Sequence, residues 1–146
     1  MHVTRQGGPA MAYWLVKTEP EVYSFADLER EGTDYWDGVR NHLAQKHMKA
    51  MRAGDLVLVY HTGVEKQVVG IAEVAREAYP DPTDDTGRWV AVDLKARARL
   101  PRPVTLVEIK ADPAFRDWEL VRNSRLSVMP VPEHLWDRIM RMAGAA

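Results

Sequence analysis

The chain has 146 residues, 46% of them apolar and 28% charged, which is the balance of one globular domain with enough material for a core. Lys plus Arg is 20 against 21 for Asp plus Glu, so any nucleic acid would meet a local basic patch and not a global positive field. Cysteine is absent, which excludes disulfide scaffolds, thiol nucleophiles, thiolate zinc sites and iron–sulfur clusters. No run approaches the ~20 apolar residues of a membrane-spanning helix.

Residues 1–10 lack the apolar segment of a secretion signal and read as a disordered leader, with Met11 as an alternative start and 11–146 as one domain. The composition suits the cytoplasm. Residues 12–18, AYWLVKT, form a compact apolar strand stopped by Pro20. Ser24 and Asp27 make a capping box for a helix over Phe25–Glu31, closed near Gly32. Residues 34–40 have no period and contain Gly38, so they read as a loop. Asn41 caps a helix over residues 42–51. Residues 53–55 turn the chain into Leu56–His61, a strand apolar on both faces and therefore buried.

Residues 67–78 form a longer strand, with Gly70 marking a bulge or a close approach. Residues 80–87 form a polar, solvated acidic loop. In 88–100, Val92, Leu94, Ala96, Ala98 and Leu100 share one face, and Asp93, Lys95, Arg97 and Arg99 the other. Pro101 and Pro103 end that strand. Residues 104–110 fit either a strand or a helical turn. Asp112 and Pro113 open another helical turn. Residues 126–131 make a short strand interrupted by Pro130. The last helix covers 132–142, with Leu135, Trp136, Ile139 and Met140 inward. Consecutive strands with short turns predict an α+β domain, a small, curved, partly closed barrel with short flanking helices.

Several chemistries lack a signal. There is no H-E-x-x-H, P-loop or G-x-G-x-x-G. His42 and His47 lie five apart on one helix and point ~140° apart, which separates them as metal ligands. The loop at Asp81 lacks a calcium loop's glycine and carries Val92 where a bidentate Glu belongs. None of the serines sits in a nucleophile elbow. The reading has no cofactor, no metal and no catalytic residue.

Three segments concentrate aromatic, basic and amide groups: residues 13–20, residues 36–41 (WDGVRN) and Tyr60-His61-Thr62. An aromatic wall, an amide and a cation suit a flat, base-sized ligand, through stacking, edge recognition and phosphate contact. Each group also has a structural reading. Trp14 is a core residue or a ligand wall. Trp36 is unusual in a loop. Asn41 caps a helix and keeps its NH2 free. Lys17 snorkels or binds, and His61 is a satisfied strand histidine or a liner.

The ordered segments YWLVKTEP, S-F-x-D-L, WDGVRN, MRAGDLVLVYH, GIAEV, WVAVD and RLSVMPV resemble the EVE domain family over about residues 12–142. The resemblance implies a PUA-like fold, beside the YTH domains that read N6-methyladenine in RNA. It also implies a non-catalytic reader of a modified base, with modified cytosine in DNA favoured and modified RNA open. Carried onto this chain, Trp36 becomes an aromatic wall, Val39 a neighbour for a methyl group, Gly38 the point of backbone approach and Asn41 the reader of the base edge. Lys17, Thr18, Tyr60, His61, Arg125, Ser127 and Trp14 complete the expected pocket. Thr62 stands where relatives often have Ser. Arg40, Arg97, Arg99, Arg102 and Arg122 are the expected phosphate contacts. The implied partners are modified DNA or RNA, with a nuclease or another protein left open, for a monomer that binds no membrane. Two other readings stay open: a protein-interaction domain with a vestigial pocket, and an enzyme acting on a nucleobase or small ligand.

Overall fold

Among the described residues, six strands form one mixed sheet in the order β2-β5-β4-β3-β1-β6. The strands are β1 (Tyr13–Thr18), β2 (Thr33–Trp36), β3 (Leu56–His61), β4 (Gln67–Pro80), β5 (Val90–Thr105) and β6 (Val128–Pro130). Around it lie α1 (Phe25–Glu31), α2 (His42–Ala50), α3 (Leu106–Ala111), α4 (Glu119–Arg122) and α5 (Glu133–Met142), with a 3-10 turn over Pro113–Phe115. This computed structural model describes residues 11–145, so the expected leader lies outside the described residues. Among those residues, no helix is long and apolar enough to cross a membrane.

The local signals explain most boundaries. Ser24 and Asp27 exchange both capping-box hydrogen bonds at α1, and Gly32 closes it with φ 79°. The Asn41 side chain accepts from the Ala44 amide at the start of α2. β1 runs parallel to β3 and antiparallel to β6. It is therefore an interior strand, which explains why Trp14, Leu15 and Val16 are buried in succession.

Four expectations change. The sheet is not closed, because β2 and β6 stand at opposite edges; the bulges along β4 bend it without a closing ladder. Residues 34–36, read as the start of a loop, join Thr33 in β2 against Val92–Lys95 of β5. That edge pairing is tertiary and leaves no periodic signal in four residues. Pro101 and Pro103 do not end β5. They lie between the Arg99–Gly70 and Val104–Val68 pairs, where the ladder shifts register, so a missing N–H costs no ladder bond. The loop after β4 is anchored and not merely solvated, since Asp81 is 2% exposed.

Gly70 is both a bulge and a close approach. The register shifts beside it, and a Cβ there would stand 2.4 Å from Phe25 Cζ. Phe25 is fully buried, so α1 is seated on β4 through the absence of a side chain.

Candidate functional site

The segment joining β2 to α2 is held by two side chains, those of Asp81 and Gln45. Asp81 accepts from the Gly38 amide at 3.0 Å and from Arg40 Nη1 at 2.9 Å. Its other oxygen accepts from the Thr83 amide and hydroxyl at 2.7 and 2.6 Å. Burial raises the Asp81 pKa, but these donors outweigh it and hold the carboxyl at about 2. On the opposite side, Gln45 Nε2 donates to the Val39 and Val90 carbonyls at 2.9 and 3.0 Å, and Oε1 accepts from the Val90 amide at 2.9 Å. Gly38 has φ 74°, a conformation that disfavours other residues. The loop is therefore fixed without a ligand.

This loop forms one wall of a cavity of about 620 Å³, within the range of small-molecule sites. Its aromatic side comes from Tyr23, Tyr35 and Trp36, and its polar groups include Asp34, Asp37, Asn41 and Ser127. Tyr23 meets Trp36 edge-on at 5.9 Å and 86°. The Tyr23 hydroxyl donates to Asp34 Oδ2 at 2.5 Å. Burial, then the Asp34 hydrogen bond, push its pKa well above the ordinary tyrosine value, so the phenol stays neutral.

Of the sequence-predicted residues, Lys17, Thr18, Trp36, Gly38, Val39, Arg40, Asn41 and Ser127 line this cavity. Lys17 Nζ donates to the Ser124 carbonyl at 2.9 Å, and burial lowers its pKa. Thr18 Oγ1 donates to the Tyr23 carbonyl at 2.6 Å. Trp36 is only 7% exposed, so most of its ring is core. Asn41 uses its oxygen to cap α2, and its NH2 has no partner among the described residues.

Four others are elsewhere. Trp14 packs in the core and donates from Nε1 to Asp55 at 3.0 Å. His61 is 6% exposed; its Nε2 accepts from the Phe25 amide at 3.0 Å, so the other ring nitrogen carries the proton toward Glu65 at 2.9 Å. Tyr60 is buried and borders a different cavity of about 250 Å³ with Lys17. Arg125 is exposed and lines neither cavity. Arg97, Arg99, Arg102 and Arg122 also lie outside the main cavity. Each pairs with a carboxylate, namely Glu73, Glu29, Glu108 and Asp117.

The EVE domain family model matches residues 12–142. This chain belongs to the EVE domain family. Among solved structures, Rpa0253 from Rhodopseudomonas palustris is 50% identical, with a TM-score of 0.87 over 92% of this chain and 94% of that one. Human THYN1, solved in complex with DNA containing 5-methylcytosine, is 26% identical, with a TM-score of 0.83 over 90% of this chain and 97% of that one. Thymocyte nuclear protein 1 of Rattus norvegicus is 29% identical over 167 residues, 91% of this chain and 74% of the relative. A YTH domain of Zygosaccharomyces rouxii shares the fold at 17% identity and a TM-score of 0.59, over 98% of this chain and 90% of that one.

Sequence reasoning missed Val22, Tyr23, Asp34, Tyr35 and Asp37 as liners of the EVE cavity. Tyr35 and Asp37 flank Trp36 and were within reach of the same aromatic–polar signal. Tyr23 and Asp34 were not, because only the packing of α1 and β2 brings them together. Among the described residues, no group of three His, Asp or Glu side chains could hold a metal ion.

Proposed function

We propose that this EVE domain is a non-catalytic reader, taking a modified base of a nucleic acid into the cavity beside residues 36–41. The observation that carries this reading is the likeness to human THYN1, a protein solved with 5-methylcytosine-containing DNA. The chemistry of the cavity supports it. Tyr35 is 45% exposed and offers a ring for stacking. The Asp37 carboxylate and the Asn41 NH2 have no partners among the described residues. They provide an acceptor and a donor for a base edge, and a carboxylate suits the amino group of cytosine.

The base would come from a single strand or be extruded from a duplex at a cost of a few kcal/mol. Stacking returns roughly 1–3 kcal/mol. Burying one methyl adds about 0.8 kcal/mol, roughly fourfold in affinity. Larger discrimination therefore requires the polar contacts as well.

The test is fluorescence anisotropy at fixed salt, on matched single- and double-stranded DNA and RNA. The oligomers carry cytosine, 5-methylcytosine, 5-hydroxymethylcytosine, adenine or N6-methyladenine. A preference for one modified base supports the reading, and equal binding of modified and unmodified strands overturns it. Asp37→Asn and Tyr35→Ala are the informative variants, since both residues are exposed. Each is expected to weaken the preferred ligand with little change in melting temperature. Trp36→Ala is a poor probe, because truncating a buried Trp costs about 3–5 kcal/mol of stability.

A further inference from the structure

A second groove of about 420 Å³ lies beside the first and is lined by His42, Gln45, Lys46, Lys49, Arg88 and Trp89. No lining residue is acidic. Lys46, Lys49 and Arg88 are exposed and, unlike the five arginines expected from sequence to meet phosphates, form no ion pair among the described residues. His42 tilts against the Trp89 ring at 5.1 Å and 36°.

Two features join this groove to the cavity. Arg40, a liner of the cavity, places its guanidinium 5.7 Å from the Trp89 ring centroid. Asn41 lines the cavity and the next residue, His42, lines the groove. Trp89 is itself held in place. Its amide donates to Asp84 Oδ2 at 2.9 Å, and its carbonyl accepts from the Asp81 amide at 2.9 Å. Two of the loop's three carboxylates are occupied: Asp81 binds Gly38, Arg40 and Thr83, and Asp84 binds Thr86 and Trp89, while Asp85 is exposed and has no partner among the described residues.

We infer that the strand carrying the recognised base leaves the cavity through this groove. Lys46, Lys49 and Arg88 meet its phosphodiester backbone, and Trp89 stacks a flanking base. The inference rests on the reading of the cavity as a modified-base site. Unpaired cations beside an aromatic ring are the pairing that follows a single strand, with cations on phosphates and a ring under a base. The salt dependence of binding would then come from α2 and the β4–β5 loop, and not from the paired arginines of β5.

The experiment is anisotropy across a salt series, using a single-stranded DNA oligomer with one 5-methylcytosine and its unmodified match. The combined Lys46→Gln, Lys49→Gln, Arg88→Gln variant is expected to weaken both oligomers alike. It should also flatten the salt slope by up to about 2, at roughly 0.7 per phosphate contact. Trp89→Ala should weaken oligomers at least about fivefold while sparing the 5-methyldeoxycytidine nucleoside, and Trp89→Phe should restore most of the loss. Arg122→Gln is the control and should change little. Wild-type affinity and slope in the groove variants overturn the inference, whatever the base preference. If the wild-type protein shows no base preference but these variants still lose salt-dependent binding, the groove stands as a strand site and the cavity reading fails. No binding of either oligomer by the wild-type protein removes both. The same panel in RNA tells which sugar the groove accepts.

Discussion

Single residues here carry roles that composition does not reveal. Trp14 has an apolar environment and one donor, and both are used internally: Asp55 accepts from its Nε1 at 3.0 Å and from the Arg52 amide at 2.9 Å. Trp14→Phe should therefore cost about 1–3 kcal/mol in urea unfolding, by leaving a buried carboxylate short of a donor. Oligonucleotide affinity at a temperature where the variant is folded should not change. Loss of binding without loss of stability would return Trp14 to the site. Gly70 is the second case. Its absent Cβ leaves room for Phe25, whose ring carbons would lie 2.4–2.6 Å from it. Gly70→Ala should destabilise by roughly 1–3 kcal/mol and lower the melting temperature by several degrees, at about 2–4 °C per kcal/mol for a chain of this size. A melting temperature equal to wild type would mean that α1 moves away without penalty.

At the scale of elements, the segment after β2 is shaped by neighbours distant in sequence. Asp81 and Gln45 clamp it from opposite sides, one through Gly38 and Arg40 and the other through the Val39 carbonyl. A site held this way before ligand arrives avoids the ordering cost of a loop that folds on binding. Gln45→Leu keeps the volume but orphans the Val39 carbonyl and both backbone groups of Val90. Each buried unsatisfied group costs about 1–3 kcal/mol, so this variant should melt early. Faster amide exchange at residues 38–41 should accompany the loss. Asp81→Asn should have the milder form of the same effect: the Gly38 and Arg40 contacts weaken while β4 and β5 remain paired. Unchanged exchange in both variants would mean that α2 capping alone holds the loop.

For the whole molecule, acid stability follows from carboxylates that the fold holds ionised. Asp81 lies at about 2 against an ordinary 3.8. Glu108, held first by the Arg102 guanidinium and then by the Thr105 amide, lies at about 2 against 4.5. Both folded values are depressed. Their contribution to stability is therefore present above pH 4.5 and is lost as pH falls from there toward 2. The urea midpoint should be flat through neutrality and decline across that window. Asp81→Asn should lower the plateau and shallow the decline. A midpoint that holds down to pH 2 would show that these contacts do not couple to folding. The open sheet matters at this scale too. With β2 at one edge and β6 at the other, cavity residues come from β1, the β1–α1 connection, β2, the β2–α2 loop and Ser127 just before β6. A shift of the β2 edge would therefore reach the site directly.

Local chemistry alone determined much of this protein. The capping box at Ser24, the Asn41 cap, the close approach at Gly70, the β3 core run and the inward face of α5 are each written in a few adjacent residues. So is the ordered set of segments that resembles the EVE family, and with it eight of the thirteen residues that line the cavity. Tertiary structure decided the rest. The four residues of β2 become a strand only because β5 pairs with them. Pro101 and Pro103 remain in β5 only because the ladder shifts register there. Trp14, Tyr60 and His61 look like liners by residue type. The sheet turns them toward the core or toward another cavity, while Tyr23 joins the site from the β1–α1 connection and Asp34 and Tyr35 from β2. Cations sort in the same way. A chain with nearly balanced charge does not announce which side chains will find carboxylates. The fold pairs the β5 arginines and, among the described residues, leaves the lysines of α2 without ion-pair partners. Caps, turns and periodic faces depend on neighbours within a few positions, and so are legible in sequence. Pairing across the sheet and the partner of each charge depend on contacts tens of residues apart, which only the folded chain brings together.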